Sequence, residues 1–180
     1  MKIFATLAGF LMLVSACSPQ LTPFSKQLYN KNNWSDYELA KIQFYLSDDI
    51  VLERVSEKNS ETNFQNGDIH IDSGKKLEKI VIPAGTPGVL LFKPNEDNFA
   101  ISFDNASDNK FLVFGPNPKN NGNYGLLASE WKNKSGIVTY NGQKYRTPLN
   151  SAFAKLLVNL KQTNRVVQET NVVKGRKTGQ

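Results

Sequence analysis

Short apolar segments separated by turn residues run through most of the chain. Apolar residues, in most cases including β-branched or aromatic ones, recur in segments 42–46, 50–55, 69–72, 77–82, 89–92, 99–103, 111–114, 126–128, 137–140 and 143–146. Between the last two segments stands Asn141-Gly142, a dipeptide that favours a type I′ turn between paired strands. Short strands at this spacing predict a mainly β fold, either a single antiparallel β-sandwich or a small β-barrel.

One short helix is predicted ahead of these strands. Ser35 can cap its first turn, and Glu38, three residues later, can reach back to the backbone of Ser35, which makes a capping box. Trp34 and Leu39 occupy the two positions of a hydrophobic staple. The helix must be short because the strand pattern begins at Ile42.

The hydrophobic pattern of segment 151–160 fits a helix and also fits a strand. As a helix it places on one face Leu149, Phe153, Leu156, Leu157 and Leu160. As a strand it places on one face Ala152, Ala154, Leu156, Val158 and Leu160. The β context favours the strand. Beyond it, Val166-Val167 and Val172-Val173 fit either a last hairpin or a disordered tail.

The first residues have the pattern of an export signal. Lys2 precedes an apolar segment, 3–14, which is shorter than the roughly 20 residues that a transmembrane helix needs. The motif that follows, Leu13-Val14-Ser15-Ala16-Cys17, resembles the lipobox of bacterial lipoproteins. That resemblance implies cleavage before Cys17 and acylation of its thiol. The alternatives are cleavage by an ordinary signal peptidase, which leaves a free thiol, and an uncleaved anchor.

The lipoprotein interpretation also predicts the location and the organisation of the chain. Cys17 is the only cysteine, so an exported chain of this kind forms no internal disulfide. In the families that the lipobox resembles, Ser18 is compatible with outer-membrane sorting, and the absence of an acidic cluster after Cys17 implies a periplasm-facing domain. The predicted units are a signal peptide (1–16), a lipidated cysteine with a tether (17–33), a mainly β domain (34–160) and a basic tail (161–180).

The positive charge of the chain is concentrated at its end. The formal net charge is +6, and segment 161–180 carries five basic residues against one acidic residue. The domain between the signal peptide and this tail is therefore close to neutral. Nucleic-acid binding requires a basic face with interleaved aromatic residues, so no nucleic-acid partner is expected.

Few residues offer catalytic or metal-binding chemistry. His70 is the only histidine and alternates with Ile69 and Ile71, which places it on the solvent face of a strand. One histidine and one lipidated cysteine exclude multi-His or Cys zinc sites, and we expect neither a metal nor a cofactor. An acid–base pair could come from Asp48, Asp49, Glu53, Asp104 and Asp108. Adjacent Asp residues between strands are more typical of turns.

Two loops are the candidate partner-binding elements. The first contains Pro83, Gly85, Pro87 and Gly88, and fits either a rigid strand connection or a preorganised binding edge. The second, 115–125, is longer, and we expect it to expose its tyrosine. Its candidate residues are Pro116, Asn117, Pro118 and Tyr124. Ordered loops on a sheet scaffold are common binding sites.

Two further stretches are similar to segments of uncharacterised lipoproteins of Bacteroidota: Ile42-Gln43-Phe44-Tyr45-Leu46-Ser47-Asp48-Asp49-Ile50 and Phe114-Gly115-Pro116-Asn117-Pro118. The resemblance implies an envelope location and brings no activity or site residues. Our leading hypothesis is a non-enzymatic, lipid-anchored accessory subunit that binds another envelope protein at the outer membrane. The alternatives are a carrier or sensor of a small apolar or glycan ligand, and a carboxylate-dependent hydrolase.

Overall fold

The computed structural model describes residues 20–56, 76–105, 109–132, 134–161 and 163. The segments α1 (Lys26–Asn32) and α2 (Asp36–Ala40) are α-helices, residues 160, 161 and 163 are also α-helical, and 3₁₀ helices lie at Pro118–Asn120 and Leu149–Phe153. The strands are β1 (Thr22–Pro23), β2 (Phe44–Leu46), β3 (Ile50–Ser56), β4 (Lys76–Ile82), β5 (Pro87–Phe92), β6 (Phe99–Ser102), β7 (Phe111–Asn117), β8 (Asn123–Leu126), β9 (Glu130–Lys132), β10 (Ser135–Tyr140), β11 (Gln143–Pro148) and β12 (Leu156–Val158).

The strands form two antiparallel sheets that pack as a sandwich. The larger sheet has the order β1-β12-β2-β5-β6-β7-β8, and the smaller sheet has the order β4-β3-β11-β10-β9. The prediction of a mainly β sandwich is confirmed. The barrel alternative is wrong, because the described strands divide into two separate antiparallel sheets and form no closed barrel.

The predicted hairpin and helix start are both confirmed. Asn141 and Gly142 have φ values of 51° and 71°, as a type I′ turn requires, and they join β10 to β11. At α2, the Ser35 hydroxyl oxygen accepts from the Glu38 amide at 3.3 Å. The Glu38 carboxylate accepts from the Ser35 amide at 2.8 Å, and this bond lowers the pKa of Glu38. The staple residues Trp34 and Leu39 are buried.

The fold begins earlier than the predicted boundary at residue 34. Thr22 and Pro23 pair with β12, Phe24 is fully buried, and the Ser25 hydroxyl caps α1 by accepting from the Leu28 amide at 3.1 Å. The tether predicted over 17–33 is therefore wrong from Thr22 onward. Its folded part includes a strand that pairs with β12, the last described strand, and local sequence patterns do not reveal such a contact.

The ambiguous segment near the end of the domain is partly strand. Residues 149–153 form a 3₁₀ helix, where the Ser151 hydroxyl accepts from the Val51 amide at 3.1 Å. The strand preference is confirmed for β12, where Leu156 and Val158 are buried together with Ala154. The predicted strand 69–72 with His70, and the two valine pairs after residue 163, lie outside the described residues.

Aromatic rings fill the interior of the larger sheet. The ring of Phe24 lies 5.3 Å from Phe44, 5.5 Å from Phe99 and 4.9 Å from Tyr124, measured between centroids. Trp34 stacks on the same ring at 5.9 Å. Side chains thus fill this part of the interior.

Candidate functional site

The first predicted binding loop is a tight turn. The Thr86 amide donates to the Pro83 carbonyl at 3.2 Å, and Gly85 has a φ of +76°, a conformation that favours glycine. The turn is also tied to the domain, because the Ala84 amide donates to the Asp49 carboxylate at 2.7 Å. The loop is therefore a rigid connection between the two sheets.

The end of this loop belongs to a strand. Pro87 and Gly88 are the first residues of β5, and Gly88 is buried. A Cβ at Gly88 would lie 2.5 Å from the ring of Phe103 and 2.8 Å from the side chain of Ile101. Gly88 therefore lets two strands and a ring pack closely, and it presents no side chain or exposed surface to a partner.

The second predicted loop is mostly a hairpin. Pro116 and Asn117 end β7, and Pro118 begins the 3₁₀ helix of the turn. The chain reverses at Asn121 and Gly122, whose φ values are 53° and 69°. The many Gly, Asn and Pro residues of 115–125 suggest one long loop, but only the middle of the segment is a turn.

Tyr124 is buried, so the prediction that it is exposed is wrong. It lies in β8 with its side chain fully buried, and its ring contacts Phe24 and Phe99, each at a centroid distance of 4.9 Å. The Tyr124 amide donates to the Phe24 carbonyl at 2.9 Å, which holds both rings in the interior. Its hydroxyl has no hydrogen-bond partner among the described residues, and burial raises the pKa of Tyr124.

The two predicted loops do not form one site. β5 starts directly after the turn at Pro83–Thr86, whereas β7 runs into the turn at residues 118–122. β5, β6 and β7 are consecutive antiparallel neighbours, so the start of β5 and the end of β7 lie at opposite ends of the sheet. A single partner surface does not include both turns.

An open groove lies instead where the two sheets meet, between β7 and β10. The Leu127 amide donates to the Val113 carbonyl and the Ser129 amide donates to the Ile137 carbonyl, each at 2.8 Å. The chain thus passes from one sheet to the other at this end of the groove. At the other end, the Asn141 amide donates to the Asn109 carbonyl at 3.1 Å.

The groove has apolar walls. It consists of two adjoining parts of about 310 Å³ and 350 Å³ that share Phe111 and Thr139. Phe92, which is 47% exposed, packs on Phe111 with a ring-centroid distance of 5.0 Å and extends the apolar surface beyond the groove. The other lining residues include Val113, Leu127, Ala128 and Ile137.

Two strand edges face the groove. Backbone groups alternate in direction along a strand, so Phe111 points its N–H and C=O the same way as Val113, whose carbonyl is turned toward Leu127. By the same rule, Thr139 points the same way as Ile137, toward the groove. Among the described residues no strand pairs with Phe111 or Thr139 on that side. The groove therefore offers backbone donors and acceptors to an extended chain.

The candidate acid–base carboxylates have different partners. Asp49 holds the turn at Ala84, Glu53 lies 3.6 Å from Lys79 and from Arg146, and Asp104 pairs with Lys110 at 2.8 Å. The structure does not bring these three together, and Asp108 lies outside the described residues. Within the described ranges there is no group of three His, Cys, Asp or Glu residues that could hold a metal ion.

A separate polar cluster lies on the smaller sheet. Glu78 accepts from Arg54 Nε at 2.6 Å and from the Tyr145 hydroxyl at 3.0 Å. The hydrogen bond from Arg54 lowers the pKa of Glu78. Burial, followed by the hydrogen bond to Glu78, raises the pKa of Tyr145. The cluster ties β3, β4 and β11 together.

Comparison with known protein families, curated proteins and solved structures finds no match for this chain. None of the helices in the described ranges is both long enough and apolar enough to cross a membrane. The groove was not predicted from the sequence, because its walls come from strands that are remote in the chain. The apolar segments 111–114 and 137–140 were recognised as strands, but nothing local indicates that an edge of each is left unpaired.

Proposed function

We propose that this protein is a lipid-anchored, periplasm-facing binding module of a bacterial outer membrane. It docks an envelope protein by accepting an extended segment of that partner in the groove between β7 and β10. The observation that carries the proposal is that no strand in the described part of the chain pairs with the groove side of Phe111 or Thr139, which lie between apolar walls.

An extended peptide suits this groove in two ways. Its backbone can pair with a free strand edge, which is how many domains recognise peptides by strand addition. Its alternate side chains would lie against the apolar walls near Phe111 and Leu127. Uncovered strand edges also promote aggregation, so a partner that covers them has a protective effect.

The location is supported by the lipobox, Leu13-Val14-Ser15-Ala16-Cys17. Several acyl chains on Cys17 give stable anchoring, because each buried CH₂ contributes ~0.8 kcal/mol. The mature N-terminal peptide should therefore have the mass of an acylated cysteine. Replacement by Cys17→Ala should release the protein from the membrane fraction, and a wild-type peptide that begins with an unmodified Cys17 would refute the anchor.

The groove is tested by co-purification from solubilised, cross-linked membranes with a tag after Gln180. Leu127→Asp places a charge in the groove, and Val81→Asp is the matched control, because the two side chains are 37% and 47% exposed. A partner that is recovered with the wild type and with Val81→Asp but lost with Leu127→Asp supports the proposal. Recovery of the same partner with all three proteins would exclude the groove as its site.

A small apolar ligand is the second candidate occupant, favoured by the apolar walls and by a volume near the lower end of the usual range for ligand pockets. Native mass spectrometry of protein purified from membranes distinguishes the two. A bound small molecule that is absent from the Leu127→Asp variant, with no protein partner, would favour the carrier function.

A further inference from the structure

The smaller sheet ends at β9 in an edge that no strand in the described part of the chain covers. β9 consists of Glu130, Trp131 and Lys132, and all three residues are exposed. It pairs with β10 on one side, and no described strand lies on its other side. An unpaired edge of this kind can add a strand from another chain.

The backbone of Trp131 points toward this uncovered side. Opposite residues of an antiparallel pair alternate between hydrogen-bonded and non-hydrogen-bonded positions. The Ile137 carbonyl accepts from the Ser129 amide at 2.8 Å, so Ile137 turns its backbone groups toward β9, and Gly136 turns its own to the other side. Trp131 lies opposite Gly136 and is therefore in a non-hydrogen-bonded pair. Its N–H and C=O point away from β10, where a second strand can reach them.

The sequence of β9 is complementary to a second copy of itself. A two-fold axis beside Trp131 makes the two strands antiparallel, so Trp131 exchanges two backbone hydrogen bonds with its own equivalent. The same axis places Glu130 of each copy opposite Lys132 of the other copy. Opposite charges that face each other across paired strands are stabilising, whereas like charges are destabilising. The two-fold pairing therefore makes two favourable charge contacts.

The indole ring of Trp131 lies on the other face of this pairing. A Cβ at Gly136 would lie 2.8 Å from the ring, so the ring packs closely over the β10 backbone because Gly136 has no side chain. Trp131 nevertheless remains 38% exposed. In the two-fold pairing the two indole rings are neighbours on one face, and each covers apolar surface of the other.

The other sheet edges lack this match. β4 has Lys79 at its centre, so a two-fold pairing along its whole length places two lysines opposite each other. β1 is two residues long and contains Pro23, which has no N–H to donate. β8 is bridged to Ser25 and to Lys155. Among the described edges, β9 is therefore the one that suits self-association.

We propose that two copies of this protein pair through β9, so that their five-stranded sheets continue as one sheet across the dimer. Three residues from each copy bury less than the ~1,000 Å² of a stable complex, so the dimer is weak and reversible. The pairing does not depend on the proposed groove or on acylation of Cys17. Acylation would favour it further by confining the copies to one membrane surface.

The dimer would present two grooves. Thr139 lies three residues beyond Gly136 along β10, on the groove side of the strand. With strands ~4.8 Å apart and ~3.3 Å per residue, the two copies of Thr139 lie roughly 25 Å from each other across the axis. The grooves are thus separate, and each copy keeps its own.

The test uses two variants whose charges complement only each other. Glu130→Lys has lysine at both 130 and 132, and Lys132→Glu has glutamate at both, so each variant repels its own copies in the two-fold pairing. A pair that contains one copy of each variant restores both opposite-charge contacts. Sedimentation equilibrium of the purified full-length proteins in detergent, up to the submillimolar range, measures the dissociation constants.

We expect wild type to dimerise and each single variant to have a dissociation constant about tenfold higher, because two contacts change from attraction to repulsion. An equimolar mixture of the two variants should recover the wild-type value. Lys79→Glu, on the edge of β4, is the matched control and should dimerise as wild type does. A monomeric wild type, or equal dissociation constants for wild type and both single variants, would overturn the proposal.

Cross-linking of the mixture identifies the contact. A water-soluble carbodiimide joins a carboxylate to a lysine at contact distance, and neither variant has both groups at positions 130 and 132. A link between these positions must therefore join two copies. We expect this link in the covalent dimer of the mixture, and a covalent dimer that lacks it would overturn pairing through β9.

Discussion

The interior of the larger sheet and the groove between β7 and β10 are both built from aromatic and branched side chains, but only the interior is filled. In the interior, Phe24, Phe44, Phe99 and Tyr124 come from different strands and segments and meet ring to ring. At the groove, the chain leaves β8 beside β7 and enters β9 beside β10, so β7 and β10 each lack a neighbour over part of their length. Where neighbouring strands pair along their whole length, their side chains pack into a core. Where the chain crosses from one sheet to the other, the strands beside the crossing leave an open, apolar surface.

Truncation should affect the two regions very differently. Phe99→Ala removes a fully buried ring, and we expect the free energy of unfolding to fall by ~3–5 kcal/mol. Leu127→Ser in the groove should change it by about 0.5 kcal/mol or less, as for other exposed positions. Denaturant unfolding of both variants measures the difference. If Leu127→Ser were as costly as Phe99→Ala, the groove would be part of the core.

A substitution at Gly88 tests whether this residue of the first predicted loop is needed for packing rather than for binding a partner. Gly88→Ala forces a methyl group against Phe103 and Ile101, and overpacking of this kind costs ~1–3 kcal/mol. Gly125→Ala is the control, because its Cβ would lie 3.4 Å from the nearest atom, an ordinary contact. Thermal unfolding of the two variants should separate them by several degrees. A Gly88→Ala protein as stable as the wild type would show that β5 and Phe103 can move apart.

The hydroxyl of Tyr124 is a buried polar group in the apolar interior, without a hydrogen-bond partner among the described residues. Because a buried hydroxyl without a partner is unfavourable, Tyr124→Phe should raise the free energy of unfolding by about 1 kcal/mol. Tyr145→Phe removes a hydroxyl that donates to Glu78 at 3.0 Å, so it should lower stability by ~1 kcal/mol. Denaturant unfolding should therefore show a higher free energy of unfolding for Tyr124→Phe and a lower one for Tyr145→Phe than for the wild type. Destabilisation by Tyr124→Phe would mean that its hydroxyl has a bonding partner.

The smallest expected effect is a pH dependence on the smaller sheet. Arg54 lowers the pKa of Glu78 below its ordinary value of 4.5 in the folded protein. The stabilisation that the Arg54–Glu78 pair provides is therefore fully present when the pH is above the ordinary pKa of Glu78. It is lost as the pH falls through the lower pKa that Glu78 has in the folded protein. Near neutral pH, wild type should exceed Glu78→Gln by at most ~1 kcal/mol, since the pair is partly exposed.

Chemical denaturation of both proteins across the acidic range measures this difference. The excess of wild type over Glu78→Gln should vanish in acid, and it should shrink at neutral pH when Arg54→Met is present in both proteins. A constant difference at all pH values would show that the charge of Glu78 has no part in stability.

Features that depend on residues close together in the chain were predicted from the sequence, whereas features that depend on contacts between remote residues were not. The Asn141-Gly142 turn and the Ser35–Glu38 capping box depend on residues a few positions apart, and both were identified. The pairing of Thr22 with Val158 joins the two ends of the fold, and no local pattern reveals it. Tyr124 was assigned to an exposed loop because its neighbours are Gly and Asn. Its burial depends on Phe24 and Phe99, which arrive from other strands.

The candidate site was missed for the same reason. Hydrophobic periodicity indicates which segments are strands, but it does not indicate on which side a strand lacks a neighbour. Phe111 and Thr139 belong to two strands that were predicted, and the groove between them exists only because the chain between β8 and β9 changes sheets.

The most direct test of the proposed function is residue-resolved photo-cross-linking in intact membranes. A photoreactive side chain would replace Thr139 in the groove or, as the control, Val81 on the outer side of β4; both positions are exposed. The proposal predicts a dominant protein adduct from position 139, mapped to an extended segment of the partner, and none from position 81. Adducts of equal yield from both positions, or adducts from position 81 alone, would contradict a partner in the groove.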